Sequence, residues 1–168
     1  MNGGADAVRR AITSARVVKF PGGGGDDGGE RLNLALAEKE RSDLGNAERL
    51  IARHGKDLLF VRERGWHWWC GTHWEEEGAD DEVRRRAHET ARSIVEEMDA
   101  LQKRGAPKWQ SEADFNDGLD KLLKWATASG NEDKTRKMIA QAVPYLSVAP
   151  AELDADPLEL NLLNGTIR

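Results

Sequence analysis

A cluster of tryptophans constrains the fold of this chain more than any other feature. The run LLFVRERGWHWWCGTHW at residues 58–74 holds four of the six tryptophans of the chain. Aromatic and β-branched residues favour pleated strands, and Gly65 and Gly71 allow the chain to reverse direction. We therefore predict a small antiparallel ribbon, with short strands at Leu58–Glu63, Trp66–Cys70 and Thr72–Glu75.

The alternation of side chains along a strand divides this ribbon into two faces. Trp66 and Trp68 are predicted on one face, with His67 and Trp69 on the other. A ribbon of two or three strands is not stable alone in water, so helices must cover at least one of its faces.

Amphipathic patterns on both sides of the ribbon predict those helices, and hence an α+β domain of four to five helices around the tryptophan-rich ribbon. Gly55 is predicted to end the helix before the ribbon in a left-handed conformation, and Pro144 to end the last helix. Side chains at helix starts that cap the backbone are predicted at Ser42 or Asp43, Ser111 and Asn131. The predicted helices cover Leu32–Arg41, Leu44–His54, a stretch after the ribbon to about Arg104, a stretch after Ser111 to about Ser129, and Glu132–Val143.

The N-terminal residues differ in composition from the rest. The segment PGGGGDDGG at 21–29 has high backbone entropy and little to bury, which predicts a flexible linker. We assign residues 1–30 to a flexible N-terminal segment and residues 31–168 to one domain. The glycine run is not followed by Gly-Lys-Ser/Thr, so a phosphate-binding loop is not expected.

Charge and cysteine content restrict the class of protein. The net charge of −5 argues against a basic protein that coats nucleic acid, although it permits a local basic patch. No apolar run approaches the roughly 20 residues of a membrane span, and residues 1–20 lack a secretory signal. The single cysteine, Cys70, fits a reducing compartment. We expect a cytoplasmic protein with no membrane partner.

The polar residues do not form a recognisable catalytic set. His67, His73 and Cys70 are near one another in sequence, but side chains on a turning ribbon more often pack or face water than bind a metal. Asp154 and Asp156 are spaced like a metal-binding carboxylate pair, yet a proline follows at once and a turn cap is favoured. We predict no catalytic residue, no metal and no cofactor in this chain.

An acidic run at residues 75–82 precedes three arginines at 84–86. Acids at a helix start and bases after the first turn are stabilised by the helix dipole, so a helix-capping role is favoured. The alternative is an interaction module that docks a basic partner or a neighbouring subunit.

Separated motifs suggest a family. SDLGNAER at 42–49, GKDLLFV at 55–61 and the hairpin WHWWCGTHW at 66–74 occur in this order, and LDADPLELNLLNGTIR closes the chain at 153–168. Together they resemble the domain that precedes the helicase in phage and plasmid primase–helicases. That family includes the satellite-phage alpha-type replication proteins and the poxvirus primase–helicase.

The resemblance implies an accessory domain in DNA replication, placed ahead of a superfamily-three ATP-driven helicase. The chain stops at Arg168, before such a helicase would begin, so it is either a piece of a longer protein or a free-standing remnant. The implied partners are the helicase or the chain's own downstream region, and further copies through a hexameric ring. The helicase's catalytic residues lie outside this segment, and none is carried over.

A free-standing module that binds single-stranded nucleic acid is the alternative function. Cationic side chains in or beside the ribbon would contact phosphates, and a tryptophan on its open face would stack on bases. The candidate residues are Arg49, Arg53, Lys56, Arg62, Arg64 and Trp69.

Overall fold

The computed structural model describes residues 26–150 and two short strands at 160–162 and 165–167. The described helices are α1 (Asp26–Ala37), α2 (Asp43–His54), α3 (Ala79–Arg104), α4 (Glu112–Ser129) and α5 (Glu132–Leu146). The described strands are β1 (Leu58–Val61), β2 (Gly65–Trp69), β3 (Trp74–Glu75), β4 (Ser147–Val148), β5 (Leu160–Leu162) and β6 (Gly165–Ile167). The predicted flexible segment up to residue 25 and the pair Asp154 and Asp156 lie outside the described residues.

The tryptophan-rich run forms the predicted antiparallel strands. β1 and β2 form a hairpin in which Phe60 lies opposite Trp66, and β3 pairs with β2 so that Trp69 lies opposite Trp74. A fourth strand, β4, adds to β1 in parallel and gives the order β3-β2-β1-β4. The sequence did not predict β4, since two residues directly after a helix show no alternation.

The C-terminal strands form a separate pair. β5 and β6 are antiparallel, with Leu160 opposite Ile167 and Leu162 opposite Gly165. The dipeptide Asn164-Gly165, a turn signal, predicts an extended piece with a turn over Asn161–Ile167, and β5 begins one residue earlier, at Leu160.

One face of the four-stranded sheet lies against helices. Leu58 and Trp66 belong to a buried apolar cluster that α2, α3 and α5 complete. The buried helical members of this cluster are Ala47, Leu50, Ala79, Val83, Ala87, Ala91, Met138, Ala142 and Leu146. This packing provides the helical cover that an isolated ribbon needs.

Helix α3 connects the two halves of the core. Its 26 residues correspond to a length of about 39 Å. The N-terminal half covers the sheet, whereas Ile94 in the C-terminal half packs with Leu122 and Ala126 of α4 and with Ala37 of α1. The described part of the chain therefore confirms the α+β class, with five helices around a small mixed sheet.

Three predicted helix caps are present. Ser42 accepts a hydrogen bond from the Gly45 amide at 3.0 Å, and Ser111 accepts one from the Asp114 amide at 3.1 Å. Asn131 accepts one from the Lys134 amide at 2.9 Å. Each cap satisfies an amide that has no partner inside its helix.

The start of α1 corrects the predicted linker. The helix begins at Asp26, inside the glycine-rich segment and six residues before the predicted start at Leu32. Glycine disfavours a helix interior, but Gly28 is buried and Leu36 on the same helix is completely buried. Tertiary packing along α1 thus outweighs the low helix propensity of its first turn.

Two predicted helix ends also differ. Gly55 has φ −60°, so it does not adopt the predicted left-handed conformation. Glycine is required at position 55 because there is no room for a side chain: a Cβ there would lie 2.5 Å from the carbonyl oxygen of Ile51. Pro144 lies inside α5, which continues to Leu146. Burial of Leu146 and the pairing of β4 with β1 stabilise this last turn despite the missing proline amide.

Candidate nucleic-acid interface

The two faces of the tryptophan ribbon have different surroundings, as the alternation predicted. Trp66 is only 8% exposed and meets Phe60 edge to face, with ring centroids 5.3 Å apart. Trp68 is partly buried against the same cluster. Both rings therefore pack on the main core cluster.

The opposite face carries the tryptophan that was predicted to stack on bases. Trp69 is partly exposed and contacts Trp74 edge to face at 5.6 Å between centroids. Trp74 packs in turn on Leu59 and Val61 of β1, which are completely buried. Trp69 therefore has one ring edge supported by its neighbour and part of its surface open.

Arg49, predicted to contact phosphates, is instead a core residue. Its side chain is completely buried, and its Nε donates to Glu97 Oε2 at 2.9 Å. The Nη atoms donate to the carbonyl oxygens of Glu40 and Leu36 at 3.0 and 2.9 Å. A guanidinium with these partners cannot reach a phosphate, so Arg49 is removed from the predicted interface.

Arg53 belongs to the same network. Its Nη2 donates to the second oxygen of Glu97 at 3.1 Å and to Asn33 Oδ1 at 2.8 Å. Only 11% of its side chain is exposed. Glu97 thus joins two arginines of α2 to α3, and Asn33 extends the network to α1. The role of Arg53 in the described structure is to fix these three helices.

The other buried polar residue of the 42–49 motif is structural too. Asn46 is buried; its Nδ2 donates to Ser129 Oγ and its Oδ1 accepts from Trp125 Nε1, both at 2.9 Å. Glycine is required at position 45 because a side chain would clash with the backbone: a Cβ there would lie 2.1 Å from the carbonyl oxygen of Glu40. The motif therefore encodes the packing of α2 against its neighbours.

Lys56, Arg62 and Arg64 remain from the predicted basic patch. All three are exposed. Arg62 and Arg64 flank Glu63 in the turn between β1 and β2, and Glu63 has φ +72°, a conformation that non-glycine residues adopt infrequently. Lys56 Nζ lies 4.0 Å from Asp57 Oδ2, a distance that leaves the lysine largely solvated.

Two members of the acidic run at 75–82 make contacts at or near the start of α3. Glu75 Oε1 accepts hydrogen bonds from the amides of Glu76 and Glu77. Glu82, in the first turn of α3, forms ion pairs with Arg85 and Arg86, and these hydrogen bonds lower the pKa of its carboxyl. These contacts match the predicted helix-start role.

Cys70, His73 and Glu75 form a chain of hydrogen bonds beside the run. Cys70 Sγ lies 3.3 Å from His73 Nδ1, and His73 Nε2 lies 3.2 Å from Glu75 Oε2. His67, by contrast, contacts the carbonyl oxygen of Gly65 through Nδ1 at 3.2 Å. Among the described residues, no three His, Cys, Asp or Glu side chains are grouped so that they hold a metal ion.

A cleft of about 680 Å³ lies between α3 and α5, with Trp66 in its wall. Arg84 and Arg136 line it, and so do Asp80 and Glu132. Because both signs of charge are present, the cleft favours neither a polyanion nor a polycation.

The comparison with protein families decides where this chain belongs. The family model described as D5 N terminal like matches residues 47–168. The chain belongs to the D5 N-terminal-like family. This family forms the N-terminal domain of D5-like primase–helicase proteins, so the resemblance drawn from the sequence motifs is confirmed. No curated protein and no solved structure matches the chain.

The match includes most of the elements that build the site of this D5 N-terminal-like domain. It begins inside α2 and extends through the ribbon, α3, α4 and α5. None of the helices in the described part is long and apolar enough to cross a membrane.

Sequence analysis overlooked the most exposed aromatic residue in the described part of the D5 N-terminal-like domain. Trp109 lies in the connection between α3 and α4 and is 84% exposed. Two signals were present in the sequence: the residue lies outside every amphipathic pattern, and Pro107 and Lys108 precede it directly.

Proposed function

We propose that this D5 N-terminal-like domain is a non-catalytic accessory domain of a phage or plasmid replication protein. It helps to position or assemble a superfamily-three ATP-driven helicase, either as part of the same polypeptide or as a separate partner. The observation that carries the proposal is the family match over residues 47–168.

The buried ion pairs support a positioning role. Glu97 and its two arginine partners hold α1, α2 and α3 together with charges that are shielded from solvent. Asn46 adds a link from α2 to Trp125 and Ser129 of α4. Directional contacts of this kind favour one arrangement of the helices, which suits a domain that orients a neighbouring enzyme.

An assembly experiment tests the proposal. The superfamily-three helicase of the same replicon, prepared without this domain, is studied by sedimentation velocity alone and with the full 168-residue chain added. We expect the added chain to join the helicase and to lower the concentration at which hexamers form. A helicase whose sedimentation is unchanged by a large excess of the folded chain would contradict the proposal.

Single-strand binding at the ribbon is the second candidate function. It is supported by the exposure of Arg62 and Arg64 in the turn of the hairpin, and by the exposure of Lys56 and part of Trp69 at the opposite end of the hairpin. Cations that contact phosphates make binding depend on salt, because bound counterions are released.

Fluorescence anisotropy with a labelled single-stranded oligonucleotide tests this candidate. Arg62→Gln/Arg64→Gln should weaken binding and reduce its dependence on salt concentration. The matched control is Arg84→Gln/Arg136→Gln, which removes the same number of positive charges from two exposed arginines of α3 and α5 outside the hairpin. Equal weakening by both variants would indicate a general charge effect and would remove the ribbon site.

A further inference from the structure

The connection between α3 and α4 presents an aromatic ring to solvent. Trp109 is 84% exposed, whereas Trp66 is 8% exposed and Trp125 is held by a hydrogen bond to Asn46. A tryptophan with this exposure offers a large flat apolar surface and a polar N–H to a ligand.

The backbone around this ring is fixed in position. Gly105 has φ +77°, and its amide donates to the carbonyl oxygen of Leu101 at the end of α3. The amide of Gln110 donates to the carbonyl oxygen of Pro107 at 2.9 Å, which closes a turn directly around Trp109. A ring on such a turn loses little conformational freedom when it binds a ligand.

Exposed cations precede Trp109 in the chain. Lys103 and Arg104 lie in the last turn of α3 and Lys108 lies in the connection, and all three are exposed. Arg104 makes one long ion pair, 3.6 Å to Glu38, and the exposed acids Asp99, Glu112 and Asp114 flank the stretch. Lys103 and Lys108 are therefore the cations near Trp109 in sequence that can contact an anionic ligand.

A flat exposed aromatic ring that follows exposed cations in the chain matches the chemistry of single-stranded nucleic acid. Its unpaired bases stack on aromatic rings, and its phosphates pair with Lys and Arg. Lysine is depleted in protein–protein interfaces relative to other surfaces, which makes a protein partner the weaker match for this basic connection.

We propose that Trp109 stacks on an unpaired base of single-stranded nucleic acid, while Lys103 and Lys108 contact the phosphates beside that base. This binding site is separate from the ribbon site formed by Lys56, Arg62 and Arg64. It does not rest on the effect of the domain on a helicase ring.

Substitution of Trp109 tests the proposal without loss of the fold. Anisotropy is measured with a labelled oligothymidylate for the full chain, Trp109→Ala and Trp109→Phe. We expect Trp109→Ala to weaken binding about 5- to 150-fold, and Trp109→Phe to retain most of the affinity because a ring remains. The midpoint of thermal unfolding should be the same for all three proteins, since the side chain is exposed.

The lysines give a second, independent readout. Lys103→Gln/Lys108→Gln should lower the slope of log affinity against log salt concentration by about 1.4, the value for the loss of two phosphate contacts. An unchanged slope would overturn the phosphate contacts.

Two results would overturn the proposal. They are absence of oligonucleotide binding by the unmodified chain and equal affinity of the unmodified chain and Trp109→Ala. Each of them is independent of whether the chain promotes assembly of a helicase ring.

Discussion

Glu97 accepts a hydrogen bond from Arg49 at 2.9 Å, and both side chains are completely buried. The second carboxylate oxygen of Glu97 accepts from Arg53, so one acid neutralises part of the charge of two bases. The carbonyl oxygens of Leu36 and Glu40 accept the remaining donors of Arg49. This network ties the C-terminal part of α1 to the centre of the molecule.

Removal of the acid from this network should be strongly destabilising. We predict that Glu97→Gln, which preserves the size of the side chain, lowers the free energy of unfolding by about 3–5 kcal/mol. The physical reason is that Arg49 stays buried without its counter-charge. Urea unfolding monitored by circular dichroism provides the measurement, and a loss under about 1 kcal/mol would contradict the assignment.

Replacement of both charged partners separates the cost of an unpaired buried charge from the loss of the contacts that Arg49 and Glu97 make. Arg49→Met/Glu97→Leu replaces the buried pair with apolar side chains, and we expect it to be more stable than Glu97→Gln. A double variant that is less stable than the single one would mean that the backbone contacts of Arg49 matter more than its charge.

The ribbon provides an internal comparison of two tryptophans on opposite faces. Trp66→Ala should cost about 3–5 kcal/mol because it empties a buried position in the cluster beneath the sheet. Trp69→Ala should cost about 1–2 kcal/mol, since it removes a partly exposed ring and one edge-to-face contact with Trp74. Thermal and urea unfolding of both variants measure the difference. Equal losses would show that the second face is buried as deeply as the first.

Much of the architecture could be predicted because it depends on local patterns. The alternation along 58–74 predicted the strands and their faces, and Ser42, Ser111 and Asn131 predicted three helix starts. The start of α1 and the strand β4 could not be predicted in this way. The first turn of α1 contains Gly28 and Gly29, whose low helix propensity predicts a linker. The strand β4 depends on its pairing with β1, which is distant in sequence.

The candidate site was less predictable, because sequence does not show which charges are buried. Arg49 and Arg53 have the same residue type as Arg62 and Arg64, and only the position of Glu97 on α3 distinguishes the two pairs. Trp109 presents the reverse case. Tryptophan is usually a core residue, and its exposure follows from a turn between two helices whose packing is set elsewhere.

His54 should make stability depend on pH. Burial, and then the charges of Arg86 and Arg53, lower the pKa of His54 from 6.5 to about 4. In the unfolded chain the imidazole binds a proton below about pH 6.5, whereas in the folded chain it stays neutral down to about pH 4. The unfolded state gains the proton first, so stability falls as the pH falls through this range.

The variant His54→Gln isolates this effect. Urea unfolding at pH 7 and pH 5 should show a smaller loss of stability for His54→Gln than for the unmodified chain. The carboxylates are common to both proteins and cancel in the comparison. Equal losses in the two proteins would show that His54 titrates normally in the folded state.

Cys70 should react as a thiolate near neutral pH. A hydrogen bond from the Thr72 side chain, together with the backbone amides of Thr72 and His73, lowers the pKa of the Cys70 thiol from 9.0 to about 7. We predict that the rate of alkylation by iodoacetamide rises with a midpoint near pH 7, and that Thr72→Val moves this midpoint upward. Cys70→Ser is the control, since it removes the single cysteine. A midpoint that does not move in Thr72→Val would contradict the assigned cause.

The measurement that tests the accessory role most directly is ATP hydrolysis as a function of helicase concentration. The superfamily-three helicase of the same replicon is titrated with and without the full 168-residue chain, and the chain is also measured alone. We predict no ATP hydrolysis by the chain alone. At low helicase concentration, the chain should raise the turnover per helicase. Once the helicase is concentrated enough to form rings unaided, the chain should make no difference to its turnover. Hydrolysis by the chain alone, or a turnover that the chain leaves unchanged at every helicase concentration, would contradict the account.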